Sequence, residues 1–133
     1  MKFRSALVTA VGMVAVSILS ATPASAAPGW QYLGGSDFYP DKTGAGCHTN
    51  RFSSGGGWIK LTYYRPGYPY TSTKIRVYEY DPDNADDFVH EMMIYDWTTA
   101  EVYVDDFVDG DNKKAEIYFR GPCEGAPSVH VYD

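Results

Sequence analysis

The sequence predicts an all-β fold: a single antiparallel β-sandwich, or a small barrel, of about six to eight short strands with one disulfide. Three observations carry this. Stretches rich in Val, Ile, Tyr and Thr alternate with polar residues at period two. Turn chemistry interrupts them at Pro66-Gly67, Asp81-Pro82-Asp83-Asn84, Asp109-Gly110 and Gly121-Pro122. No segment has a sustained helical period, and the best helical candidate, Asp86 to Trp97, carries β-branched and aromatic residues that suit a strand.

The chain opens with a basic start, Lys2 and Arg4, then an uncharged apolar run from Ala6 to Leu19, then the small-x-small pattern Ala24-Ser25-Ala26. Residues 1–26 therefore read as a secretory signal, with an apolar run too short for a comfortable membrane span. Residues 27–133 are expected to form one soluble, exported, extracellular domain, monomeric and with no membrane contact after cleavage. Loss of Lys2 and Arg4 leaves nine basic residues against 17 acidic ones, a formal charge of −8. Such a chain repels phosphate backbones, so nucleic acid is not an expected partner. Twelve tyrosines, three tryptophans and the phenylalanines are expected to supply much of the burial. The two cysteines, Cys47 and Cys123, are expected to pair in an oxidising compartment and close most of the domain.

In order along the chain, Tyr32 to Gly57 is Gly-rich and weakly periodic, with one short strand near Trp30 to Leu33. Trp58 to Tyr64 alternates loosely, and Thr73 to Tyr80 cleanly, with Ile75 and Val77 on one face and Arg76 and Tyr78 on the other. Phe88 to Tyr95, Glu101 to Asp106, Lys114 to Phe119 and Val129 to Tyr132 complete the series. "VYVDDFVDGDNKKAEIYF" predicts a β-hairpin: Val102 and Val104 on the outgoing strand, Asp109-Gly110 in an acidic loop, and Ala115, Ile117 and Phe119 on the return.

An Ala-rich signal followed by a Tyr-rich β domain, with an Asp-Gly turn before "KKAEIYF", resembles small secreted β-sandwich proteins of actinobacteria. The resemblance implies export and a sandwich, and it carries over no catalytic residues.

Several chemistries can be weighed on the residues. "DPDNADD" gathers carboxylates at Asp81, Asp83 and Asp86 that could take part in a calcium site, since calcium seeks six to eight oxygens. The EF-hand template is not met, because Ala85 stands at the fifth position from Asp81 and Asp86 where glycine is required. The ordinary alternative is an Asx turn in which the side chains cap their own backbone, so no cofactor is expected beyond that possible calcium. His48, His90 and His130 are scattered and match no zinc spacing. No GxSxG elbow exists, and Glu79, Glu91, Glu101 and Glu116 read as outward charges on strands, so an enzyme is not expected.

Binding remains. In "YYRPGYPY", Pro66-Gly67 fits the centre of a type II turn running from Arg65 to Tyr68, with Tyr64, Tyr68 and Tyr70 at or past its tip. Tyr78 and Tyr80 are expected to face out beside Arg76, with Tyr103 and Tyr118 also on outward positions. Exposed tyrosine suits a sugar ring or a protein surface. The expected binding residues are therefore Tyr64, Arg65, Tyr68, Tyr70, Tyr78 and Tyr80, and the expected function is non-catalytic recognition of carbohydrate or an extracellular protein. Two alternatives are a secreted protease inhibitor, offering Arg65 or the Arg51 of "CHTNR" to an acidic pocket, and an envelope-associated structural protein.

Overall fold

The computed structural model describes residues 29–109 and 112–133. The segment read as a secretory signal lies outside them, as does Gly110 of the Asp109-Gly110 turn. Ten strands form two antiparallel sheets: β1 (Tyr32–Asp37), β2 (Tyr39–Pro40), β3 (Cys47–His48), β4 (Phe52–Ser54), β5 (Trp58–Tyr64), β6 (Thr73–Glu79), β7 (Asp87–Ile94), β8 (Thr98–Tyr103), β9 (Ala115–Gly121) and β10 (Ser128–Tyr132). One sheet has the order β1-β10-β5-β8; the other runs β2-β3-β9-β6-β7, with β4 also paired to β9.

The period-two pattern explains the layers. Ile59, Leu61 and Tyr63 of β5 and Val129 and Val131 of β10 point inward from the four-stranded sheet. Ile75 and Val77 of β6 and Ile117 and Phe119 of β9 meet them from the other, and all nine are fully buried. The disulfide joins Cys47 on β3 to Cys123 beyond β9 across 76 positions. The ends of the described domain lie together: Gln31 and Asp133 exchange two backbone hydrogen bonds, of 2.7 and 2.8 Å.

Four expectations are corrected. First, the segment 32–57 holds four strands, which brings the total above the expected six to eight. β3 and β4 lie along the same neighbour, β9, interrupted at residues 49–51. Thr49 patches the gap: its N–H donates to the Phe119 carbonyl at 3.0 Å, and its hydroxyl accepts from the Phe119 N–H at 3.1 Å. Ser36 does the same for Asn50, accepting its N–H at 2.9 Å. Hydroxyls complete the ladder where the periodicity fails.

Second, β8 and β9 are not a hairpin. β8 pairs with β5 in one sheet and β9 with β6, β3 and β4 in the other, and among the described residues only the isolated bridge Asp109↔Lys114 joins the two arms. After Val104, whose N–H donates to the Gly57 carbonyl, a 3-10 turn at Asp105–Phe107 carries the chain across. Third, the Arg65–Tyr68 reversal exists, with the Tyr68 N–H donating to the Arg65 carbonyl at 3.0 Å. It is not type II, because Gly67 does not take the positive φ that type II requires at that position. Its missing side chain serves close approach instead, since a Cβ there would stand 3.3 Å from the Gly125 Cα.

Fourth, Glu79 points inward. It shares the parity of Thr73, Ile75 and Val77, and only 2% of it is exposed. Its Oε1 accepts a long hydrogen bond, 3.5 Å, from the Glu116 N–H, and the carboxylates of Asp109, Asp81 and Asp87 act on it as like charges. Burial first, then those like charges, push its carboxyl up to about 7.

Candidate binding surface

The outer face of the four-stranded sheet is built by the residues that alternate with the core. Trp58, Lys60, Thr62 and Tyr64 on β5, His130 and Tyr132 on β10, and Glu101 and Tyr103 on β8 all point away from the buried valines and isoleucines. Their rings form a ribbon in two parts, the Trp58–Tyr103 pair and a longer run from Trp30 to Trp97. Trp58 and Tyr103 are a cross-strand pair with centroids 5.3 Å apart. Lys60 Nζ lies 4.9 Å from the Trp30 ring and 5.0 Å from Tyr132. Tyr132 meets Tyr32 at 5.3 Å, Tyr32 meets His130 at 5.8 Å, His130 meets Tyr64 at 5.1 Å, and Tyr64 meets Trp97 edge-on at 4.6 Å. Gly35 lets Tyr32 fold inward, since a Cβ there would stand 3.0 Å from its hydroxyl.

The tryptophans do not fill the core, contrary to expectation: Trp30, Trp58 and Trp97 are 41, 56 and 73% exposed. Trp97 also sits in a left-handed conformation, φ +59°, at the tip of the turn between β7 and β8. That is a strained position for a bulky side chain. Together with exposed Tyr32 and Tyr103, this face presents a broad aromatic surface crossed by Lys60 and Glu101, which lie opposite each other on β5 and β8.

The opposite sheet is aromatic in a different way. Tyr78 and Tyr118 stack at 5.6 Å and 20°, and Phe88 meets Tyr78 edge-on at 5.8 Å. The Tyr118 hydroxyl donates to Asp86 at 2.6 Å, and burial together with this bond holds the phenol protonated well above the usual tyrosine range. Arg76 and Lys74 flank Glu91 at 2.8 and 3.0 Å, which keeps that carboxyl below its ordinary value, mainly through the Arg76 hydrogen bond. Beside the stacked tyrosines, the break between β3 and β4 opens a groove of about 660 Å³.

The sequence-derived binding residues fall into three places. Tyr64 belongs to the aromatic face of the four-stranded sheet. Tyr78 and Tyr80 lie on the other sheet, and Tyr80 carries the Arg51 guanidinium over its ring at 3.9 Å. Tyr68 and Tyr70 belong to the turn, where Tyr70 is 94% exposed with φ +72°. Arg65 is buried: Nε donates to the Glu124 carbonyl at 2.9 Å, a terminal nitrogen donates to Thr73 at 2.7 Å, and Tyr68 covers its face at 4.2 Å. It braces the turn and is not presented to a partner. The ribbon residues Tyr32, Trp58, Trp97, His130 and Tyr132 were not among the expected binders. Their signal was parity, since His130 and Tyr132 alternate with Val129 and Val131, and Trp58 with Ile59.

Two of the three carboxylates considered for calcium, Asp81 and Asp86, are engaged locally. Asp81 accepts from the N–H groups of Asp83 and Asn84 and from the Asn84 amide, which lowers its pKa, and Asp86 accepts from Tyr118 and from the Asp81 N–H. Among the described residues no three or more His, Cys, Asp or Glu side chains are grouped to hold a metal ion.

The family described as the YndA coiled coil domain matches residues 32–132, which cover most of the chain. The chain belongs to that family. The match runs from the first residue of β1 to the last of β10, so the family unit coincides with the two-sheet domain. In this member the described residues form strands and one 3-10 turn, with no coiled coil. No curated protein matches the chain.

Proposed function

We propose that this YndA-family chain is a small secreted, non-catalytic binding protein that recognises carbohydrate through the outer face of its four-stranded sheet. The observation that carries the proposal is the exposure of all three tryptophans on or beside one sheet face, set among tyrosines and His130: Trp58 pairs with Tyr103, and Tyr64 links Trp97 to His130. Ring faces cover the apolar side of a sugar, while the tyrosine hydroxyls, Lys60 and Glu101 offer hydrogen bonds at its edge. The rigid sheet means that little ordering entropy is lost on binding. Export is supported by the basic-apolar-small pattern of residues 1–26 and by the Cys47–Cys123 bridge.

The test is retention on insoluble chitin, cellulose and peptidoglycan. Retention is expected on at least one of them, weakened about tenfold or more by each of Trp58→Ala and Trp97→Ala. Phe88→Ala, an exposed ring on the other sheet, should leave it unchanged. With all three tryptophans on or beside the face, soluble oligosaccharides from the retained polymer should change the intrinsic fluorescence. Retention on none of them, or retention that ignores the tryptophan changes, refutes the proposal.

A further inference from the structure

The groove at the β3–β4 break lies on the other sheet and does not rest on the carbohydrate face just described. Its charges are arranged unevenly. Lys42, Arg51 and Arg120 supply three cations against the two carboxylates of Asp41 and Asp86, in a chain whose formal charge is −6. Both carboxylates are already engaged: Asp41 by Arg120 and, at 3.4 Å, by His48, and Asp86 by the Tyr118 hydroxyl. Arg51 and Lys42 make no ion pair with the described residues. Arg51 is also pre-positioned. Its guanidinium carbon lies 3.9 Å over the Tyr80 ring, and its N–H groups have no hydrogen-bond partner among the described residues.

We propose that this groove is a binding site for a sugar acid, a hexuronate or a uronate residue in a glycan. The ligand carboxylate pairs with the Arg51 fork and with Lys42, because a planar guanidinium matches a carboxylate through two parallel hydrogen bonds. Ring hydroxyls then donate to the remaining lone pairs of Asp41 and Asp86. The same two carboxylates repel a doubly charged anion more strongly than a singly charged one, so the site selects a singly charged polyol over the phosphate dianion. A volume of about 660 Å³ is in the range of small-ligand sites.

The experiment is titration of the whole folded domain with glucuronate and galacturonate, followed by calorimetry and by amide chemical-shift changes. Parallel titrations use glucose, acetate, inorganic phosphate and a Glu-rich peptide. One of the uronates is expected to bind at least tenfold more tightly than glucose, acetate, phosphate or the peptide, shifting Arg51, Tyr80 and Tyr118 and weakening as salt is raised. Arg51→Gln should reduce that affinity at least tenfold, and Arg51→Lys should restore only part of it, because the charge returns without the fork. Arg51 is exposed, so neither change endangers folding. Trp58→Ala should leave uronate binding intact, which separates this site from the aromatic face. No binding by either uronate, equal binding of acetate or phosphate, tighter binding of the peptide, or uronate affinity indifferent to Arg51→Gln would each overturn the assignment.

Discussion

Glu79 offers the sharpest test of the core. Its carboxyl ionises near 4.5 in an unfolded chain and at about 7 in the folded one. Between those values the unfolded state has released its proton and the folded state still holds it. Stability attributable to this group is therefore complete below about 4.5 and declines as pH rises through 7. Each pH unit between the two values corresponds to about 1.4 kcal/mol, so keeping an ionised Glu79 inside costs the fold about 3 kcal/mol above neutrality. Glu79→Gln mimics the protonated form and retains an oxygen for the Glu116 N–H. Urea denaturation at pH 4.5, 6, 7 and 8 measures the difference. At pH 4.5 the two proteins should be nearly equal; by pH 8 the variant should be more stable by about 3 kcal/mol, with most of the change between pH 5 and 7. Glu91→Gln is the control: Glu91 is exposed and its carboxyl lies below the ordinary value, so its contribution is lost only as pH falls below the ordinary carboxylate range. Parallel stability curves for wild type and Glu79→Gln across pH 4.5 to 8 would refute the reasoning.

Other outcomes follow from single contacts. The Tyr63 hydroxyl is buried without a hydrogen-bond partner among the described residues, so Tyr63→Phe should leave stability unchanged or raise it by up to about 1 kcal/mol in thermal unfolding. Trp97→Gly should cost less than about 1 kcal/mol, because relief of the left-handed backbone offsets the lost edge contact with Tyr64, and yet it should abolish retention on polysaccharide. Replacing both cysteines by Ala should lower stability by about 3 to 4 kcal/mol, as expected for a bridge closing a 76-residue separation, measured by chemical denaturation without reductant.

The sequence showed strand where alternation was unbroken. β5 matches its expected bounds, and β6, β7, β9 and β10 differ by a residue or two at their ends. It was least legible where hydroxyls complete the backbone pairing: Thr49 and Ser36 turn a Gly- and Ser-rich segment into paired structure, a contribution that periodicity does not register. The failed hairpin has a different cause. An Asp-Gly turn between two alternating runs specifies a reversal, but not whether the arms remain neighbours, and the buried Val104 with its 3-10 turn directs them into separate sheets. For the candidate site, parity gave the direction of Tyr78 and Tyr103 correctly, whereas Tyr64, expected at the turn tip, closes β5. It could not group them, because membership of a sheet is a long-range property. Arg65 and Glu79 were misplaced because charge was weighed above parity, and for Glu79 the parity of Ile75 and Val77 was the better guide.

The pairing of Gln31 with Asp133 has a mechanical consequence. β1 and β10 run antiparallel with Tyr32 opposite Tyr132, so the chain enters and leaves at the same end of one ladder. Tension applied between those ends loads the rungs one at a time, as in opening a zipper, instead of shearing all of them together. β1 and β10 should therefore peel away at low force. The peeling would stop at Cys47 and Cys123, whose covalent link shields the 76-residue span between them, so only the segments before the first cysteine and after the second can be drawn out of the fold.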